Sequence, residues 1–173
     1  MNHFLAKSVA MLEIAQEGLC RIVMLVVMTL MAVIVASMCA QVFWRYVLND
    51  SLIWPEEVSR YAFIWASCLG MSVGVRRGDL IAIDVLWARR PNRVRRLVSI
   101  VARLLMIPLL VVFIWEGGVL MGAVAGQRTA ATQVPVAFVY LALPISSTFA
   151  LLFLLETLVR DFRELWLLGD DPQ

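Results

Sequence analysis

The sequence predicts an all-α membrane protein with four transmembrane helices and a short membrane-surface segment between the second and third. Its composition is the first reason, since 62% of the 173 residues are apolar and 16% are charged, against about 45–50% and about 25% in soluble domains. The second is that four apolar stretches are long enough to cross a hydrocarbon core of about 30 Å as helices. The third is that the arginines cluster in one connection. We therefore expect a single membrane domain over residues 1–173.

The first predicted span covers about residues 21–44. It contains no charged residue between Arg21 and Arg45, and a helix of that length can cross the bilayer. The stretch is longer than the apolar core of a secretory signal peptide, which is about 7–15 residues. We therefore expect a helix that is retained in the membrane.

The second predicted span covers about residues 55–76. Pro55 suits the first turn of a helix, and Glu56 and Glu57 complement the positive end of the helix dipole. The charge-free part of this stretch is too short to cross alone, so these carboxylates and Arg60 are expected at interfacial depth. Glu56 and Arg60 stand four residues apart and can pair on one face of the helix.

A stripe of small residues recurs every four positions along this second span. Small side chains allow another helix to approach closely, which is how helices associate in lipid. We expect helix packing at Ala66, Gly70 and Gly74 in particular. The full stripe is Ala62, Ala66, Gly70, Gly74 and Gly78.

The third and fourth predicted spans cover about residues 97–121 and 135–158. Glu116 lies near the outer end of the third span. An acid within a membrane is a functional candidate, for instance as a proton carrier. A contact with a partner or a plain interfacial carboxylate is the alternative interpretation, and it is favoured because no second buried acid or base forms a relay with Glu116.

The arginines predict the orientation. The first connection carries only Arg45 and Arg60 and the third only Arg128. Short connections rich in arginine stay in the cytoplasm, so four spans place both termini in the cytoplasm. The middle connection carries Arg76, Arg77, Arg89, Arg90, Arg93, Arg95 and Arg96.

The middle connection also contains an amphipathic segment, about residues 79–90. Apolar residues there are broken by Asp79 and Asp84, so the segment is too charged to cross the bilayer. Leu80, Ile83 and Trp87 share one face at helical spacing, which favours a helix in the headgroup plane. Alternation at period two leaves a short extended segment possible.

The sequence lacks the residues that several classes of function require. His3 is the only histidine, and Cys20, Cys39 and Cys68 have neither zinc-site nor CxxC spacing. No nucleophile with a base, phosphate loop or nucleotide fingerprint occurs. The sequence predicts no cofactor and no enzymatic activity, and it disfavours a haem or quinone protein.

Polar and aromatic residues gather at the predicted outer face. They suit interfacial anchoring, which every membrane protein needs, and they equally suit a docking surface for another subunit; both interpretations stay open. The set is Arg45, Trp54, Glu56, Glu57, Arg60 and Arg128.

The order and spacing of these motifs resemble one family. The motifs are Phe43-Trp-Arg45, Trp54-Pro-Glu-Glu57, Arg60-Tyr-Ala-Phe-Ile-Trp65, Gly70, Arg76-Arg-Gly-Asp-Leu-Ile-Ala-Ile-Asp84, Gln127-Arg-Thr129, Val134-Pro135, Tyr140 and Leu143-Pro144. Together they resemble the DctQ-like small membrane subunit of tripartite ATP-independent periplasmic (TRAP) transporters, over roughly residues 40–145.

The resemblance implies a role without chemistry of its own. In such a transporter a periplasmic DctP-like protein binds the substrate, typically an organic acid, and a large DctM-like subunit moves it, coupled to sodium. The small subunit supports the large one and helps to form the docking surface for the binding protein. The rival hypothesis is a self-sufficient small transporter that couples protons through Glu116.

Overall fold

The computed structural model describes the backbone of residues 2–50, 52–77 and 92–167, and the side chains within residues 16–50, 52–77 and 98–160. The all-α membrane fold is confirmed. The predicted membrane-surface segment, with Asp79, Asp84 and Trp87, lies outside the described residues. The helices are α1 (Asn2–Val47), α2 (Trp54–Arg77), α3 (Asn92–Ala123), α4 (Val136–Tyr140) and α5 (Ala142–Leu167).

Within the described residues, four helical stretches are long and apolar enough to cross a membrane. They are Gln16–Val47, Trp54–Arg77, Val98–Ala123 and Val136–Arg160. The four predicted spans overlap them, one with each.

The fourth stretch is interrupted at Leu141, between α4 and α5. Pro144 has no N–H, so it cannot donate to the carbonyl of Tyr140. Leu141 itself keeps helical dihedral angles, φ −61° and ψ −21°. Its N–H donates to the carbonyl of Ala137 at 3.0 Å, and its own carbonyl accepts from Ile145 at 3.3 Å. The backbone therefore keeps a helical course through the junction.

Helix α2 lies between α1 and α5, and α3 packs against the other side of α5. The carboxylate of Glu57 contacts the backbone of Thr132, just before α4, whereas Arg76 lies beside Glu156 in α5. The start of α2 therefore lies beside the start of α4, and the end of α2 lies beside the later part of α5, so α2 and the α4–α5 pair run in the same direction. We refer to the two ends of the bundle as the Glu57 end and the Arg76 end.

Two apolar clusters form the interior. The first joins Phe153 of α5, which is fully buried, to residues of α1 and α2; the second joins Leu110 of α3 to α2 and α5. The outward faces are also apolar, as expected in lipid: Leu105 is 70% exposed and Trp115 is 72% exposed. The first cluster is Cys20, Val23, Leu69, Val73 and Phe153. The second is Val75, Leu110, Ala150 and Leu154.

The residues of the predicted small-residue stripe differ in burial along α2. Ala62 and Ala66 are buried, in agreement with close packing. Gly70 is only half-buried, and a Cβ atom placed on it would meet no atom within 4 Å. Gly74 is half-buried, and Gly78 lies outside the described residues. Helix packing at Ala66, Gly70 and Gly74 remains a prediction.

Candidate functional site

The carboxylate of Glu57 ties the start of α2 to the loop before α4. Its Oε1 accepts a hydrogen bond from the hydroxyl of Tyr61 at 2.6 Å. Its Oε2 accepts from the backbone N–H groups of Ala131 at 3.1 Å and Thr132 at 2.7 Å. Hydrogen bonds to a charged acceptor are stronger than neutral ones. Glu57 therefore has an internal structural role at the surface where docking was predicted.

The loop itself, residues 127–135, is closed by its own hydrogen bonds. The buried hydroxyl of Thr129 accepts from the N–H of Val134 at 3.0 Å and lies 2.9 Å from the hydroxyl of Thr132. The N–H of Thr129 donates to the carbonyl of Val134 at 3.0 Å. Gln133 has φ 56°, a left-handed conformation that costs a non-glycine residue about 1 kcal/mol or more. The surrounding bonds hold this strained turn in one shape.

The predicted outer residues lie at this end of the bundle. Arg60 donates to Glu56 at 2.8 Å, which confirms the expected i, i+4 pair, and both side chains are about two-thirds exposed. Arg45 lies in the last turn of α1, with its guanidinium 5.9 Å from the ring centre of Tyr46. Trp54 begins α2 and is 46% exposed.

Arg128 is also exposed and donates to the carbonyl of Gln133 at 3.4 Å. The structure thus brings Glu56, Glu57 and Arg60 to one helix end and Arg128 to the loop bonded to it. It leaves the charged groups of Arg60, Glu56 and Arg128 accessible to a partner.

Glu116 lies on α3 with its side chain exposed. It stands outside the packed interior of this chain, next to the buried Gly117. This placement gives no support to a proton path through the bundle.

Sequence reasoning missed an ion pair at the opposite end. The Nε of Arg76 lies 3.8 Å from Oε2 of Glu156, and the two side chains are only 20% and 15% exposed. The guanidinium also stands 5.7 Å from the ring centre of Phe153, within range of a cation–π contact. A signal did exist: Arg76 and Glu156 stand at nearly equal distances from the starts of two spans that run in the same direction.

Between the two ends, the polar groups of the interior are mostly small hydroxyls. Ser72 donates to the carbonyl of Leu69 at 2.7 Å, and Ser146 donates to that of Leu143 at 3.1 Å. Both serines are fully buried, and bonds to their own helices satisfy them. Within the described side chains, this arrangement suits close packing of helices rather than binding of a charged substrate.

Known proteins match this chain over most of its length. The family described as "Tripartite ATP-independent periplasmic transporters, DctQ component" matches residues 34–164. This match confirms the resemblance seen in the sequence motifs.

Curated proteins similar to this chain carry TRAP transporter names. The sialic acid TRAP transporter permease protein SiaT of Haemophilus influenzae is 33% identical over 89 residues, 51% of this chain and 14% of that protein. The isethionate TRAP transporter permease protein DctMQ of Oleidesulfovibrio alaskensis is 28% identical over 141 residues, 77% of this chain and 22% of that protein.

The C4-dicarboxylate TRAP transporter small permease protein DctQ of Vibrio cholerae is 40% identical over 63 residues, 36% of this chain and 27% of that protein. The chain therefore spans about a quarter or less of the length of these three relatives. The match to the family covers well over half of the chain, and the chain belongs to the DctQ component family of the tripartite ATP-independent periplasmic transporters.

Proposed function

We propose that this chain is the small, non-catalytic membrane subunit of a sodium-coupled TRAP transporter that imports organic acids. In this proposal it supports a large DctM-like subunit in the bacterial inner membrane. It also contributes to the surface on which a periplasmic DctP-like binding protein docks.

The distribution of polar groups carries the proposal. The charged contacts described above lie at the two ends of the bundle, and the described side chains between them are mainly apolar or carry hydroxyls bonded to their own helices. The hydroxyl of Ser147 and the indole N–H of Trp65 are buried there without a partner among the residues that the structure describes, and both groups are neutral. An organic acid that crossed here would lose its hydration without gaining a charged partner, at a cost of several kcal/mol. Transport by a larger partner is the physically reasonable alternative.

The relatives support the kind of partner and the class of substrate. The protein named DctMQ matches this chain over only 22% of its own length, so in that relative a similar segment shares its polypeptide with a much longer permease sequence. The names of the relatives mention sialic acid, isethionate and C4-dicarboxylate, which are all organic acids. Sodium coupling comes from the family resemblance.

The orientation follows from charge and length. Glu57 and Arg76 are separated by a helix of about 28 Å at a rise of 1.5 Å per residue, which is close to the thickness of the hydrocarbon core. The arginine-rich connection follows the Arg76 end, so the positive-inside rule assigns that end and both termini to the cytoplasm. The Glu57 end then faces the periplasm, where a binding protein can reach it.

Reconstitution in proteoliposomes tests the division of roles. We expect uptake of the organic acid to require the large subunit, the binding protein, this chain and an inward sodium gradient together. Uptake by this chain alone, or full uptake after it is omitted, would contradict the proposal. Glu116→Gln should leave uptake unchanged. If Glu116→Gln abolished uptake in a fully assembled complex, the proton-coupled alternative would be favoured.

Charge reversal at the periplasmic end tests the docking role. Arg128→Glu should raise the concentration of binding protein that gives half-maximal uptake, because it reverses an exposed charge on the proposed surface. Arg21→Glu is the matched control, since Arg21 is 76% exposed at the opposite end. Equal effects of both variants would argue against docking at the Glu57 end.

A further inference from the structure

A cavity of about 360 Å³ opens at the Arg76 end, between α1, α2 and α5. Its volume lies in the range of small-molecule sites, about 300–1,000 Å³. Four arginines and two glutamates line it, so the lining carries an excess of two positive charges. These residues are Arg21, Arg76, Arg77, Arg160, Glu17 and Glu156.

Two of these arginines already have acidic partners. Arg21 stands 3.6 Å from Glu17, and Arg76 stands 3.8 Å from Glu156. The other two have none within the described part of the chain. Arg77 makes only a 3.6 Å contact with the sulfur of Met24, which is a weak acceptor. The excess positive charge of the cavity is therefore available to an anion.

The rest of the lining is Cys20, Met24 and Thr157, whose hydroxyl donates to the carbonyl of Phe153 at 2.7 Å. Cys20 is buried and Met24 is half-buried. Leu25 of α1, 60% exposed, lies one helical turn beyond Arg21 toward the middle of the bundle. Leu152 of α5, 44% exposed, lies one turn beyond Glu156 in the same direction. A ligand that fits this site has an anionic group and an apolar part that extends toward the bilayer centre.

We propose that this cavity binds the phosphate group of an anionic phospholipid, with Arg77 and Arg160 as its main cationic partners. Basic pockets between transmembrane helices are suited to anionic headgroups. The phosphate accepts hydrogen bonds from the guanidinium groups, and an acyl chain lies along the exposed leucines. Only the choice of the cytoplasmic leaflet rests on the proposed function.

Native mass spectrometry of the full-length chain in a mild non-ionic detergent tests the site. We expect the chain to retain phosphatidylglycerol in preference to phosphatidylcholine with the same acyl chains. Arg77→Gln together with Arg160→Gln should weaken retention about twenty-five-fold, since each arginine near a headgroup contributes about a factor of five. Arg45→Gln together with Arg128→Gln removes the same charge at the Glu57 end and should leave retention unchanged.

Further arms separate the sources of phosphate. Glycerol 3-phosphate and inorganic phosphate should not displace phosphatidylglycerol at millimolar concentration, because they lack the apolar part. Displacement by either would assign the site to a soluble phosphate and overturn the lipid proposal, as would equal retention of phosphatidylcholine or equal losses in both double variants. Capture of the large subunit by the Arg77/Arg160 double variant tests the transporter assignment separately, since it does not require the lipid.

Discussion

Two adjacent glycines of α3 provide a matched test of how α3 and α5 pack. A Cβ atom on Gly117 would lie 2.9 Å from Cδ of Pro144 and 3.4 Å from both its Cγ and its backbone nitrogen. A Cβ atom on Gly118 would meet no atom within 4 Å. The substitution Gly→Ala therefore has the same effect on helix propensity at both positions and a different steric effect.

The structure sets the size of that difference. Alanine is favoured over glycine inside a helix by about 1 kcal/mol, so Gly118→Ala should be neutral or stabilising by up to that amount. At Gly117 the same gain opposes overpacking, which typically costs about 1–3 kcal/mol. The ring of Pro144 is bonded back to its own backbone and cannot rotate away. We expect Gly117→Ala to be less stable than Gly118→Ala by about 1–3 kcal/mol.

Thermal unfolding in detergent, followed by circular dichroism and tryptophan fluorescence, measures the difference. For a chain of this size about 1 kcal/mol corresponds to about 2–4 °C in Tm. Gly117→Ala should therefore unfold about 2–12 °C below Gly118→Ala, and Gly117→Ser should lie no higher. If Gly117→Ala were as stable as Gly118→Ala, the contact between Gly117 and Pro144 would not be the close approach described here.

Three further substitutions test the interior and the two ends. Glu57→Gln keeps only one of the two side-chain oxygens that accept hydrogen bonds, so hydrogen exchange of the loop amides bonded to Glu57 should accelerate. Glu56→Gln, at an exposed position, should not change that exchange. Similar exchange in both variants would contradict the role of Glu57 in holding the loop. Arg76→Gln leaves Glu156 mostly buried without its counter-charge and should lower the free energy of unfolding by about 3 kcal/mol. Adding Glu156→Gln should restore most of the lost stability. Additive losses in a double-mutant cycle would refute the pairing. Phe153→Ala removes a fully buried ring and should cost about 3–5 kcal/mol in thermal unfolding; a loss below about 1 kcal/mol would place this ring outside the core.

Local and long-range contacts differed in how well the sequence predicted them. The pair of Glu56 and Arg60 was predictable because both residues belong to one helical turn, and the structure gives 2.8 Å. The contact between Glu57 and Thr132 spans 75 residues. The sequence contains no pattern that distinguishes the internally bonded Glu57 from its exposed neighbour. Only the packing of α2 beside the loop makes that distinction.

The stripe of small residues shows a different limit. Four residues advance an α-helix by about 400°, so a repeat of four drifts by about 40° at each step. From Ala62 to Gly70 the stripe has rotated by about 80°, which explains why Ala62 and Ala66 are buried while a Cβ atom placed on Gly70 would meet no atom within 4 Å. The buried face instead continues through Leu69 and Val73, at the alternating spacing of three and four that follows one side of a helix.

The polar contacts at the two ends fix how α2 and the α4–α5 pair are aligned along their axes. In lipid, apolar packing provides little preference against sliding, since the surrounding acyl chains are as apolar as the helices. Glu57 holds the loop before α4 at one end, and Arg76 holds Glu156 at the other. A shift by one turn, about 5.4 Å, would break both contacts together. The proposed docking surface is therefore carried by a pair of helices with a fixed register, and a site built on rigid elements binds with less loss of conformational entropy than one on a free loop.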